Sequence, residues 1–123
     1  MNSNPVGWFE IYVQDMERAK AFYEAVFGVR LERLNNDQLE MWAFPMEMDR
    51  MGCSGALAKM EGVPSGENST LVYFNCEDCE AEAGRVSEAG GRLEREKTSI
   101  GEYGFMALAY DTEGNMIGLH SFK

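Results

Sequence analysis

Val29-Arg30-Leu31-Glu32-Arg33 recurs later in the chain as Gly91-Arg92-Leu93-Glu94-Arg95. Each copy follows a glycine, Gly28 or Gly90, that closes a helical pattern. Self-similarity of this kind marks an internal duplication when the flanking elements repeat as well.

They do repeat. Upstream of Gly28, Asp15 is placed to cap a helix, its carboxylate accepting from the open amides of the first turn. Ala19, Phe22, Tyr23 and Val26 then fall at i, i+3, i+4 and i+7, which predicts one buried helix face. Gly28 supplies the left-handed residue that ends it. Upstream of Gly90, Asp78 takes the capping role, Cys79, Ala83 and Val86 form the buried stripe, and Gly90-Gly91 is the stop. Gly84 weakens this second helix by about 1 kcal/mol relative to Ala.

A strand precedes each helix. Val6 to Val13 alternates, with Phe9, Ile11 and Val13 on one face and Trp8, Glu10 and Tyr12 on the other. Leu71 to Cys76 places Val72, Phe74 and Cys76 against Leu71, Tyr73 and Asn75. The apolar face of each strand is expected under its helix, and the mixed aromatic and polar face is expected to line a cleft. Further strands are predicted near 29–34, 39–46 and 55–60, then 92–98, 103–110 and 115–122. The stretch 61–69 is polar, contains Gly and Pro, and reads as a linker. The predicted fold is α+β, a single domain over 1–123. It is built from two βαβββ modules, about 5–60 and 70–123, forming a curved mixed sheet around a cleft with the helices outside.

Composition narrows the partners. A 123-residue chain has room for one real core. Its formal charge of −10 argues against nucleic acid, where Lys and Arg must neutralise phosphates, and against an anionic membrane surface. No apolar run approaches the ~20 residues needed to span a bilayer. The opening Met1-Asn2-Ser3-Asn4-Pro5 has neither the basic nor the apolar region of an export signal. With three cysteines, reduced thiols and a cytoplasmic location are expected.

The stretch Phe9-Glu10-Ile11-Tyr12-Val13-Gln14-Asp15-Met16-Glu17-Arg18-Ala19-Lys20-Ala21-Phe22-Tyr23, then Val26-Phe27-Gly28, and finally Asp111-Thr112-Glu113-Gly114-Asn115 resembles the vicinal oxygen chelate superfamily of glyoxalases, bleomycin-resistance proteins and extradiol dioxygenases. The likeness runs over the whole chain and is closest to predicted enzymes related to lactoylglutathione lyase. The resemblance implies a divalent metal held by the first and last strands of each module. The corresponding positions here are Trp8, Leu71, Gly118 and the run Gly55-Ala56-Leu57-Ala58-Lys59-Met60. Indole, isobutyl and hydrogen offer no metal ligand. No metal and no other cofactor is therefore expected at the familial place.

Glu10, Tyr73 and His120 lie one pleat beyond Trp8, Leu71 and Gly118, and are the candidate acid–base residues. The bland alternative is a polar wall in which they only hydrogen-bond. A displaced metal site on Glu10 and His120 would need a third ligand, from Glu40, Glu47 or a second subunit. Trp8, Tyr12, Leu71 and Gly118 are the candidate ligand-binding positions. Cys76-Glu77-Asp78-Cys79 has redox spacing, but the intervening acids oppose thiolate formation, and burial of both cysteines is the plainer reading. Met41, Met46, Met48, Met51 and Met60 suit core filling, with a subunit contact as the lesser role.

Two functions follow as expectations. One is a metal-free module binding a small oxygenated or aromatic metabolite, as bleomycin-resistance proteins illustrate. The other is an atypical lyase- or isomerase-like enzyme using Glu10 and His120. Glyoxalase I activity itself is not expected. A homodimer is expected, since a chain this small gains buried apolar area by association.

Overall fold

The strand Val6–Tyr12 (β1) leads into the helix Met16–Phe27 (α1) and then Glu32–Leu34 (β2), Glu40–Ala43 (β3) and Ser54–Lys59 (β4). The same succession returns as Thr70–Asn75 (β5), Cys79–Arg85 (α2), Arg92–Ser99 (β6), Phe105–Tyr110 (β7) and Met116–Ser121 (β8), with one 3-10 turn at Gly101–Tyr103. This computed structural model describes residues 4–36, 38–50 and 52–123. Met51 and the first three residues, which entered the sequence reading, lie outside the described residues.

The fold class is α+β, as expected, and the duplication holds at the level of topology. In the first copy the strands lie in the order β2-β3-β4-β1. There β1 runs parallel to β4, with Glu10 opposite Ala56 and Tyr12 opposite Ala58. In the second the order is β6-β7-β8-β5, with β5 parallel to β8 and Tyr73 opposite Gly118. The chain divides into two compact units, 8–70 and 1–7 with 71–123. The start of β1 therefore belongs with the second unit, where the Asn75 amide donates to the Pro5 carbonyl at 2.8 Å.

In the first unit α1 covers one sheet face, packing Met16 over Leu31 and Leu57 with Ile11, Val13, Tyr23, Trp42 and Phe44 around them. Leu57 is fully buried, so truncating it to Ala costs ~2–5 kcal/mol. In the second unit Cys79 and Ala83 of α2 pack on Ala107 and Leu119, with Phe74, Cys76 and Leu93 beside them. Leu31 and Leu93, the central residues of the repeated segment, thus do the same work in the two cores.

Both predicted caps are present. Asp15 accepts from the Arg18 amide, and Gly28 at φ 65° ends α1. Asp78 accepts from the Glu80 amide at the start of α2. Three expectations need correction. Phe22 and Val26 are both 57% exposed, because the inner face of α1 is taken by Met16, Ala19, Lys20, Tyr23 and Glu24. Lys20 Nζ lies 3.3 Å from the centre of the Trp42 ring, and Glu24 accepts from the Leu31 amide at 2.9 Å. The second helix ends at Arg85, not near Gly90. Beyond it come tight turns in which Val86 donates to Ala83 and Gly90 to Ser87, since Gly84 leaves too little helix propensity to extend the element. The strand predicted from 103 begins only at Phe105, after the 3-10 turn.

Candidate functional site

In the first unit the face away from α1 carries the alternate residues of β1. Trp8 and Tyr12 lie against Met41, Ala56, Ala58, Leu34 and Leu39. The two alanines are fully buried, and their small size gives the aromatic rings a floor. Between the rings sits Glu10, only 6% exposed. Its Oε2 accepts from Trp8 Nε1 at 3.2 Å and its Oε1 from the Tyr12 hydroxyl at 2.6 Å. Parity on one strand brings the three together, since residues at i, i+2 and i+4 share a face. Among the described residues no Lys or Arg forms an ion pair with it. Burial pushes the Glu10 carboxyl above its ordinary value of 4.5, while the bonds from Tyr12 and Trp8 pull it back down. The result is a carboxyl with enhanced proton affinity, held by two neutral donors.

In the second unit the face away from α2 carries Leu71 and Tyr73, both buried. The Tyr73 ring lies on Gly118, so closely that a Cβ there would run into it. Gly118 is therefore covered by the phenol. His120, one pleat on, holds its Nε2 2.6 Å from the Tyr103 carbonyl oxygen. A carbonyl can only accept, so Nε2 carries a proton, and in the neutral ring Nδ1 is then the acceptor. The ring also meets Phe122 edge-on at 4.8 Å between centres. Gly104, at φ +102°, lets the turn close on the imidazole; a side chain there would strike the Ser121 carbonyl.

The geometry thus groups Trp8, Glu10 and Tyr12 in one unit, and Leu71, Tyr73, Gly118 and His120 in the other. Four residues on the second face were not singled out from the sequence. Met106 stands opposite His120, Leu108 opposite Gly118, and Tyr110 opposite Met116, all half-buried, with the Arg92 guanidinium over the Tyr110 ring at 4.4 Å. The alternation in Phe105–Tyr110 was the available signal: Ala107 is under the helix, so its neighbours face away. The Tyr103 carbonyl had no signal, since a backbone acceptor 17 positions away in sequence leaves no residue pattern.

Residues 6–119 match the description Glyoxalase/Bleomycin resistance protein/Dioxygenase superfamily. The chain belongs to that superfamily. A glyoxylase-like domain-containing protein of Didymella fabae is 28% identical over 114 residues, covering 89% of this chain and 88% of that protein. The putative glyoxylase CFP32 of Mycobacterium bovis is 30% identical over 112 residues, 87% of this chain but 40% of its own length. Among solved structures, hypothetical protein BH1468 from Bacillus halodurans superposes with a TM-score of 0.75 at 12% identity, covering 99% of this chain and 96% of that one. Methylmalonyl-CoA epimerase from Mycobacterium tuberculosis gives 0.70 at 16% identity, with coverages of 100% and 93%. At these identities the structural likeness is one of fold.

The residues at the positions where the sequence resemblance implies a metal offer little to hold an ion. Trp8 offers only an N–H donor, already given to Glu10; Leu71 is aliphatic; Gly118 lies beneath Tyr73. Ala56 and Ala58 occupy the buried face of β4. Among the described residues no three His, Cys, Asp or Glu side chains are grouped to share a metal, so neither Glu40 nor Glu47 joins Glu10 in a displaced site. Glu40 instead accepts from Trp42 Nε1 at 2.9 Å, and Glu47 pairs with Arg50 at 2.8 Å. Cys76 and Cys79 are free thiols. Both pack in the second core, and burial first, then Glu82, pushes the Cys76 thiol up to about 11. No helix among the described residues is long and apolar enough to cross a membrane.

Proposed function

We propose that this protein binds a small oxygenated or aromatic metabolite on the sheet faces its helices leave uncovered, without a metal at the superfamily's usual positions. The observation that carries the reading is Trp8. An indole stands where the sequence resemblance implies a metal ligand, and its one polar atom is committed to Glu10. On the second unit the aromatic and thioether side chains Tyr110, Met106 and Met116 suit stacking against a planar ligand. His120 Nδ1 supplies the acceptor for a ligand hydroxyl, its other nitrogen being fixed by Tyr103. Three free thiols are compatible with a cytoplasmic setting.

A thermal-shift screen of metabolites tests this, because a ligand selective for the native state raises its stability. Hits are expected to lose affinity in His120→Ala or Tyr110→Ala. Binding that survives both substitutions would overturn the assignment. Metal analysis of protein purified without chelator or added metal is the second arm, and stoichiometric Zn, Ni, Mn or Fe would overturn the metal-free part.

A second reading, an atypical lyase- or isomerase-like enzyme, is favoured by one observation. Glu10 is a buried carboxyl with raised proton affinity, the condition of a general acid or base near neutral pH. His120 and Tyr73, the other candidate acid–base residues, lie on the second unit. Glu10→Gln separates the readings, since it abolishes acid–base turnover while leaving ligand affinity on the second unit intact. Robust metal-dependent turnover of the methylglyoxal–glutathione hemithioacetal would overturn both.

A further inference from the structure

We propose that the ligand of the second unit is an aromatic carboxylate and that Arg95 selects it by its charge. The inference rests on the ligand-binding reading above and narrows it to one chemical class. It starts from β6, which pairs with β7 alone. Arg92 stands opposite Tyr110 and Leu93 opposite Ala109, but Arg95, not Glu94, stands opposite Leu108. Thr98 then stands opposite Met106, after a second irregularity. An extra residue of this kind re-aims the side chains that follow it, the usual effect of a β-bulge.

Strict alternation from Leu93 would send Arg95 to the side of the sheet that α2 covers. Leu93 does pack there, and Lys97 lies over Phe105 and donates to Asp78 at the α2 cap. The shift at Glu94 takes Arg95 out of that set. Residues directly opposite on antiparallel strands share a face. Arg92, Arg95 and Thr98 therefore border Tyr110, Leu108 and Met106 on the face that α2 leaves uncovered. A spacing of two has become a spacing of three, and two arginines stand in one row.

The two arginines differ. Arg92 lies over the Tyr110 ring at 4.4 Å, and its Nη1 is 3.2 Å from Glu94 Oε1, so its charge is already answered. Arg95 is exposed and, among the described residues, joins no ion pair, although Glu94 and Glu96 flank it. A guanidinium presents a planar fork that the two oxygens of a carboxylate match. Two strand spacings of ~4.8 Å away, β8 carries Gly118 beneath the Tyr73 ring and then His120. In its neutral form His120 offers Nδ1 as an acceptor, Nε2 being held by Tyr103. Between these margins Leu108, Met106 and Tyr110 give an aromatic ring an apolar floor. A cation at one edge, an apolar centre and an acceptor at the other edge match a hydroxylated aromatic acid. In a chain with a formal charge of −10, an unanswered guanidinium beside an apolar floor reverses the prevailing sign locally and favours an anion there.

Calorimetric titration of the full chain with 4-hydroxybenzoate and with its neutral counterpart 4-hydroxybenzamide tests the proposal. The wild type is expected to bind the acid about 10-fold more tightly than the amide, and less so as salt is added. Arg95→Gln should bring the acid down to the level of the amide, with unchanged circular dichroism because Arg95 is exposed. Arg95→Lys should restore only part of the preference, since it keeps the charge and loses the fork. His120→Ala should weaken both probes alike. Equal affinity for the two probes, or a preference that survives Arg95→Gln, overturns the role of Arg95 while the ligand-binding reading stands. A wild type that binds neither probe overturns the ligand class, and the metabolite screen then decides the broader reading by itself.

Discussion

The Tyr12 hydroxyl donates to Glu10 Oε1 at 2.6 Å while burial opposes the charge it stabilises. The balance falls to burial, so the folded protein holds the Glu10 proton more tightly than the unfolded chain. Over the window between the ordinary carboxyl value of 4.5 and the raised folded value, the native state binds more protons, and stability falls as pH rises. Glu10→Gln removes this contribution. Urea unfolding from pH 4 to 8 is expected to show the variant gaining on the wild type as pH increases through that window. A difference independent of pH would mean that Glu10 titrates normally.

Tyr73 over Gly118 sets a steric prediction. Gly118→Ala places a methyl against the phenol ring, and Tyr73 is buried with little freedom to move aside. Overpacking of this kind costs ~1–3 kcal/mol. Thermal melts should show a lowered Tm, and Tyr73→Ala combined with Gly118→Ala should cost less than the two separate losses added.

The Tyr103 carbonyl dictates the His120 tautomer. Long-range nitrogen–proton correlation spectra at pH 8 are expected to show the proton on Nε2 and a bare Nδ1. Gly104→Ala forces a side chain into a backbone at φ +102° against the Ser121 carbonyl. It should loosen this contact and mix the tautomers while leaving the α2 core intact.

The three thiols should separate by reactivity. Cys53 is exposed and Cys79 buried, and a Cys76 thiol at about 11 is ~0.1% thiolate at pH 8. Brief alkylation of native protein at that pH is expected to label Cys53 alone, and denatured protein all three. Rapid labelling of Cys76 or Cys79 would reopen a redox role for the pair.

Much of this was legible in the sequence because strand alternation is unambiguous. Phe9, Ile11 and Val13 against Trp8, Glu10 and Tyr12 could be sorted only one way, and Asp15 with Gly28 bracketed α1 correctly. The inner face of α1 was misread because the helix is apolar on two sides. Periodicity could not tell the stripe of Met16 and Tyr23 from that of Phe22 and Val26, and a lysine seated on Trp42 sent the expected core residues outward. The early end of α2 reflects weak local propensity, where single-residue patterns discriminate least. The proton affinity of Glu10 was out of reach for another reason: it depends on how thoroughly Trp8, Tyr12 and Ala56 shut out water.

Duplication has left two units of one design whose uncovered sheet faces are filled differently. On the first, the Trp8 and Tyr12 rings rest on the buried methyl floors of Ala56 and Ala58, so exchanging the indole at position 8 for a smaller ring would leave a hole. On the second, Met106, Leu108 and Tyr110 are only half-buried, so replacing them should disturb the layer beneath less. Substitutions should therefore be tolerated more readily at the half-buried positions of β7 than along β1.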